Sequence, residues 1–313
     1  MKNKITLSTL HILILLFGQI CFAKLNVVAT TSDMGALVEA VGKDRVNVMA
    51  VAKGTQDPHQ IEAKPSLMSK MSDADLVVAQ GLDLESAWVR PLVEGSRNPK
   101  IAIGSRGFFE VGDGVNPIEV SGSTATRAQG DVHPGGNPHF QLDPVRMGTA
   151  AELVAERLGE IDSANHDFYK ENAATYKKNL ATKDKDWQAR LAKTGIKEVV
   201  TYHKTMSYFF DHYKIKSTLQ LEPKPGIPPT AAHLLVVINE MKAHHINLVL
   251  IENYFDDSIS EKLKQEVPNA VIKKVPVSVG GESNVKTNED VIESLVKTIE
   301  TSVSATEQKG HKT

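Results

Sequence analysis

The sequence predicts an α/β protein of two lobes alike in architecture, with a long helix between them that reads as a strut or, alternatively, as an ordinary surface helix of one domain, and three observations carry the prediction. Short apolar runs rich in Val and Ile alternate with helix-period segments, and they do so twice along the chain. Between the two sets lies a stretch of about 30 residues without Gly or Pro, striped with apolar residues at helical spacing. The length, 313 residues with 41% hydrophobic and 24% charged, allows two mid-sized lobes with a substantial core.

In the first set Leu25–Thr30, Val46–Ala52, Asp75–Ala79 and Lys100–Ile103 read as strands, being short, branched and bounded by turn residues. Met34–Val41, Pro65–Met71 and a segment around Leu84–Val93 read as the helices between them. Pro65 suits a first helical turn, where its missing N–H costs nothing. In the second set the strands are Glu198–Tyr202, Ser217–Leu221, Asn247–Ile251 and Ala270–Val277, separated by helices at Met206–His212, Thr230–Ala243 and Ser258–Val267. Such alternation implies a mostly parallel four-stranded sheet in each lobe, covered on both faces. Within 162–193, Phe168, Tyr169, Tyr176, Leu180, Trp187 and Leu191 form the apolar stripe, and Gly195 stands where a helix terminator is expected. The resulting division is a leader at 1–23, an amino-terminal lobe at 24–161, the linking helix at 162–193, a carboxy-terminal lobe at 194–304 and a polar tail at 305–313. Residues 104–137 carry Gly-Asp-Gly, Ser-Gly-Ser and Pro-Gly-Gly without a sustained period and read as a long loop.

Charge narrows the partners. Lys and Arg number 36 against 38 Asp and Glu, so no basic excess points to nucleic acid or an anionic membrane surface. The single Cys excludes a disulfide framework and a multi-thiolate metal site, leaving imidazole and carboxylate for any metal chemistry. Lys2 and Lys4, the apolar run Ile12–Phe17 and Cys21-Phe22-Ala23 have the form of a secretory signal cleaved after Ala23. The alternative, a lipid-modified Cys21, places the bulky Ile20 where a small residue is wanted. The working part of the chain is expected outside the cytoplasm.

Three of the eleven histidines stand in similar settings. His59 follows Asp57-Pro58 after the second strand, His139 follows Asn137-Pro138 after the long loop, and His203 directly follows the fifth strand. Proline restricts the backbone beside two of them. Ligand crevices of open α/β sheets lie outside the carboxyl ends of the strands, which sets His59 and His203 at the mouths of different lobes. Three imidazoles with one oxygen ligand make an ordinary tetrahedral zinc site. The alternative is that His59 and His139 are turn residues and His203 a capping or core residue. His133, in Val132-His133-Pro134, either lines the entrance or caps a turn. His166, His212, His233, His244 and His245 fall on or beside helical patterns, where solvated faces are expected.

These segments resemble a known family. Asp57-Pro58-His59-Gln60-Ile61-Glu62-Ala63-Lys64-Pro65-Ser66, then Asn137-Pro138-His139-Phe140-Gln141-Leu142-Asp143-Pro144, then Tyr202-His203-Lys204 with Tyr208-Phe209 resemble, in order, the metal-ligand segments of the periplasmic zinc- and manganese-binding proteins of metal ABC transporters. Thr30-Thr31-Ser32-Asp33-Met34 resembles that family's first strand-to-helix turn. The resemblance implies two pseudo-symmetric α/β lobes joined by one long rigid helix. It implies His59, His139 and His203 as ligands and a cargo of Zn2+ rather than Mn2+, because zinc members carry His at the third position. It implies no catalysis, a monomer in the periplasm and delivery to an inner-membrane ABC permease. Many members add an Asp ligand from the segment that here reads Val275-Pro276-Val277-Ser278-Val279-Gly280-Gly281, which has no carboxylate. Water or Glu252 is left for the fourth position, and Glu252 reads equally well as an acceptor orienting a ligand His. The family's His-rich loop is reduced here to His133. A secreted zinc hydrolase is the competing reading, since three His and an open water position also describe a catalytic site. No His-Glu-x-x-His helix supplies its base.

Overall fold

The computed structural model describes residues 24–122 and 130–310, with side chains through 303. The leader with Cys21 and His11, part of the long loop and His311 lie outside the described residues. Two sheets are present, each of four parallel strands. The first joins β1 (Leu25–Thr31), β2 (Val46–Ala52), β3 (Leu76–Ala79) and β4 (Phe108–Glu110) in the order β2-β1-β3-β4. The second joins β5 (Glu198–Thr201), β6 (Lys216–Gln220), β7 (Leu248–Glu252) and β8 (Val271–Val275) in the order β6-β5-β7-β8. The orders are the same once the strands are counted within each lobe, which is the expected pseudo-symmetry.

Helices α1 (Ser32–Gly42), α2 (Pro65–Met71), α3 (Val89–Ser96) and α4 (Pro144–Ile161) belong with the first sheet. Helix α5 (His166–Thr194) links to α6 (Ser207–Tyr213), α7 (Ala231–His244), α8 (Ser258–Glu266) and α9 (Asn288–Gly310). Alternate residues of each central strand feed different cores, as a two-residue period requires. Val27 and Ala29 of β1, Leu76 and Val78 of β3, and Leu248 and Leu250 of β7 enter one large cluster with α4, α5, α6 and α9. Val28, Val77 and Ala79 turn to the other face, against α2 and α3. Val249 and Ile251 do the same against α7 and α8. The large cluster runs through both lobes without a break, so the lobes share one core.

Helix α5 is the centre of that core. At 29 residues it spans about 43 Å, and Tyr169, Ala173, Tyr176, Leu180, Trp187 and Leu191 are buried along it. It packs on α1, α4 and α9. The Arg190 guanidinium reaches Glu293 at 2.9 Å and Glu300 at 2.7 Å on α9. Gly195 ends the helix with φ at 66°, a conformation glycine adopts without penalty. The strand mouths also meet: a Cβ on Gly54 would lie 2.2 Å from the Val279 carbonyl, so only glycine fits there. Asn253 Nδ2 donates to the Gly54 carbonyl at 2.9 Å, and Val279 N donates to Asp33 Oδ1 at 3.0 Å.

Four sequence readings are corrected. The run at Lys100–Ile103 is not a strand: Asn98 caps a short 3-10 turn at Pro99–Ile101, where proline has no N–H for a ladder. The fourth strand is Phe108–Glu110, inside the segment read as loop. The helix expected at Leu84–Val93 starts only at Val89, after turns with positive φ at Gly81, Leu82 and Asp83. The linking helix starts at His166, since Ser163–Asn165 forms a separate 3-10 turn. Two helices were not anticipated. Helix α4 is capped by Asp143, whose side chain accepts from Val145 N and Arg146 N, with Pro144 in its first turn. Helix α9 continues to Gly310, into the segment read as a tail.

His212, on α6, donates through Nε2 to Asp184 of α5 at 2.9 Å, and its Nδ1 lies 4.0 Å from Asp143, the cap of α4. The hydrogen bond to Asp184 holds the imidazole above its ordinary range against the opposing effect of burial. Burial raises the Asp184 carboxyl, but the bond and charge of His212 outweigh it and leave a net lowering. A raised imidazole pKa contributes stability that is full below about pH 6.5 and is lost as pH rises through the folded value. His212→Gln should therefore melt well below wild type at about pH 5.5 and close to it at about pH 9. An equal gap at both pH values would show that the ion pair does not form. The shared core predicts a single calorimetric transition for both lobes, and Trp187→Ala should lower it by about 3–5 kcal/mol without splitting it.

Candidate metal centre

Two of the three turns that carry the histidines are built alike. After β2 the chain turns through Asp57-Pro58-His59, and Asp57 Oδ1 accepts from His59 N at 2.9 Å. The Trp88 indole N–H donates to the Pro58 carbonyl at 2.8 Å and anchors that turn. Before α4 the chain turns through Asn137-Pro138-His139, and Asn137 Oδ1 accepts from His139 N at 2.9 Å. These are side-chain-to-backbone turns of the kind Asp and Asn make readily. His203 needs no such turn, because it lies two residues past the end of β5.

The three imidazoles meet at one place. Each of His59, His139 and His203 offers a nitrogen, and those nitrogens lie within 4.8 Å of one another. Ring centroids are 5.2 Å apart for His59 and His139, 5.3 Å for His59 and His203, and 5.5 Å for His139 and His203. All three are buried. Among the described residues, this is the one group of His, Cys, Asp and Glu with the dimensions to hold a metal ion.

Supporting acids fix two of the rings. His59 Nδ1 lies 2.8 Å from Asp57 Oδ1, and His203 Nδ1 lies 2.6 Å from Glu222 Oε2. A carboxylate accepts, so Nδ1 of each ring donates to its acid and Nε2 is the nitrogen left to serve a metal. Burial pushes the Asp57 carboxyl up, but the hydrogen bond and charge of His59 outweigh it and the net lies below the usual range. His139 has no such partner. It is 1% exposed, so bulk water does not reach it, and neither ring nitrogen has a hydrogen bond from the protein. Burial, then the neighbouring His59, His203 and His133, hold it well below its ordinary pKa and therefore neutral. A neutral imidazole with an idle lone pair, facing two others, has the chemistry to coordinate a cation.

His133 joins the edge of the cluster, with Nε2 3.3 Å from His59 Nε2. It separates two cavities. One of about 230 Å³ is lined by Glu119, His139, His203 and Lys204, the other of about 380 Å³ by His59, Asp83 and Asp131. The helical histidines stand away from the cluster, though not all are solvated: His212 is half-buried beside Asp184, and the His233 ring lies 3.0 Å from the Gln220 carbonyl.

Glu252 does not join the nitrogen cluster. It is fully buried at the end of β7, with the Thr205 side chain and the His203 backbone as its polar neighbours. Burial pushes its carboxyl up to about 8. The acid that orients His203 is Glu222, which sequence reasoning missed. Its signal was the sheet register: Thr201 pairs with Gln220 across the parallel strands, and two residues further on the same step sets Glu222 beside His203.

Comparison with known proteins extends the site to a family. The family model described as zinc-uptake complex component A, periplasmic (ZnuA), matches residues 27–302. The metal ABC transporter substrate-binding lipoprotein ScbA of Streptococcus cristatus is 25% identical over 258 residues, covering 81% of this chain and 80% of its own. The manganese ABC transporter substrate-binding lipoprotein PsaA of Streptococcus anginosus is 24% identical over 248 residues, covering 78% and 77%. The crystal structure of a ZnuA superposes with a TM-score of 0.76 at 21% identity, covering 89% of this chain and 99% of that one, which speaks for the fold alone. With the match running from the first strand into the last helix, the chain belongs to the periplasmic zinc-uptake component A family, whose members are solute-binding components of metal ABC transporters and not enzymes.

Proposed function

We propose that this protein captures Zn2+ in the periplasm as a monomer, with His59, His139 and His203 as ligands, and delivers it to an inner-membrane ABC permease. One observation carries the choice of residues: His139 is buried, neutral and without a hydrogen bond at either nitrogen, between two imidazoles whose Nε2 lone pairs are set by acids. A tetrahedral zinc ion needs three such donors and leaves one position for water.

Donor chemistry favours zinc over manganese. Imidazole suits zinc, whereas manganese prefers carboxylate, carbonyl and water oxygen. The acids here are bonded to the outer nitrogens of the rings and do not join the nitrogen cluster. The family description names zinc uptake, while PsaA, the relative from Streptococcus anginosus, is named for manganese. The shared core and the Gly54 contact leave little room for wide lobe rotation, so release proceeds by local movement of the loops around the cleft. A hydrolase would need a base beside a metal-bound water. Glu252 is too deeply buried for that task, and the family is one of binding proteins.

Two measurements test this reading. Competition titration of purified protein should give Zn2+ a large preference over Mn2+, and the His59→Ala, His139→Ala double variant should lose zinc binding. Equal affinity for both metals would remove the zinc assignment, and unchanged zinc affinity in the double variant would remove these ligands. Glu222→Gln should weaken zinc about 10–100-fold by withdrawing the acceptor behind His203. Glu252→Gln should leave zinc affinity nearly unchanged, and a loss matching that of Glu222→Gln would restore Glu252 to the site.

A further inference from the structure

The twin turns before His59 and His139 share a backbone plan and differ in one atom. Asp57 has only acceptors, and after accepting from His59 N it engages the His59 ring. Asn137 has a donor as well. While Oδ1 accepts from His139 N at 2.9 Å, Nδ2 donates to the carbonyl of Lys204 at 3.0 Å, with a longer contact to Glu119 Oε2 at 3.4 Å. Lys204 is the residue after His203. The amide orientation is dictated by its partners, since an N–H requires an acceptor and a carbonyl requires a donor.

The rest of Asn137 is equally committed. Its N–H donates to the Ile118 carbonyl at 2.9 Å, and its carbonyl accepts from the Tyr208 hydroxyl at 2.6 Å. It is 5% exposed, so water does not compete for these bonds. One short, two-torsion side chain thus joins the backbone of a first-lobe histidine to the backbone beside a second-lobe histidine. His139 has no ring hydrogen bond to fix it, so its distance from His203 is set through the backbone.

We propose that Asn137 is a positioning residue that fixes the spacing of His139 from His203 across the lobes, and thereby sets how tightly and how long the cation is held. This rests on the metal-capture reading above. Asparagine is specified because aspartate would keep the turn before His139 but face the Lys204 carbonyl and the Glu119 carboxylate with a negative oxygen.

The test compares Asn137→Asp with wild type, and with Trp187→Ala, which destabilises the core away from the site. Zinc affinity, zinc release rate and the visible ligand-field spectrum of the Co2+-loaded protein are measured beside the melting temperature. Asn137→Asp should weaken zinc about 10–100-fold, speed its release and shift the Co2+ spectrum, while Trp187→Ala melts lower and keeps all three. Adding Glu119→Gln to Asn137→Asp should restore part of the affinity. If Asn137→Asp does not fold, Asn137→Ser makes the same test, since a hydroxyl can accept from His139 N but does not reach Lys204. Wild-type affinity and spectrum in the Asn137 variants, or zinc losses that follow melting temperature in every variant, would overturn the proposal alone. Failure of the wild-type protein to bind Zn2+ or Co2+ would overturn the metal-capture reading and this proposal with it.

Discussion

Three imidazoles packed edge to face in a buried pocket are an unfavourable arrangement for a folded chain by itself. His139 leaves both nitrogens without a hydrogen bond, and a buried polar group in that state costs about 1–3 kcal/mol. Nothing local to His139 offsets this. The cost falls on the shared core, which joins the inner faces of both sheets through α4, α5 and α9. The pocket stays assembled because the walls that carry its histidines cannot relax separately.

Rigidity and ligand direction are supplied by different parts of the molecule. Carboxylates aim the rings of His59 and His203, while the lobes are held in register by α5, by the Arg190 pairs to α9 and by the backbone contact at Gly54. A preorganised site of this kind spends little of its binding energy on ordering side chains. It also restricts how the site can open. With one core through both lobes, the lobes do not part as separate bodies.

The strand–helix alternation was legible because buried strands and amphipathic helices impose periods of 2.0 and 3.6 on the residues that line a core. Val27, Val28 and Ala29 divide between faces as that period requires, and the Tyr169-to-Leu191 stripe is the buried side of α5. The histidines were legible by their settings, two after proline and one after a strand. What stayed hidden depends on neighbours in space. Glu222 is an ordinary acid beside Pro223 until the register of β5 with β6 puts it next to His203. Glu252 stands in a more suggestive stretch, yet the last turn of a central strand carries it into the interior. Helix α4 was overlooked despite a plain cap at Asp143-Pro144, because the same residues were read as part of a histidine segment.

The placement of acids bears on which cation fits. A carboxylate bound directly to the ion would bring negative charge and a hard oxygen, which favours manganese. Here Asp57 and Glu222 each stand one imidazole further out, where they make the ring nitrogen more basic without presenting oxygen to the centre. The arrangement therefore raises nitrogen donation and withholds hard ligands at the same time. His139, with no acid behind it, is held neutral by burial and by the neighbouring imidazoles. In a nitrogen-rich pocket of this kind, the distance of the acids bears on cation choice as much as the identity of the groups that face the centre.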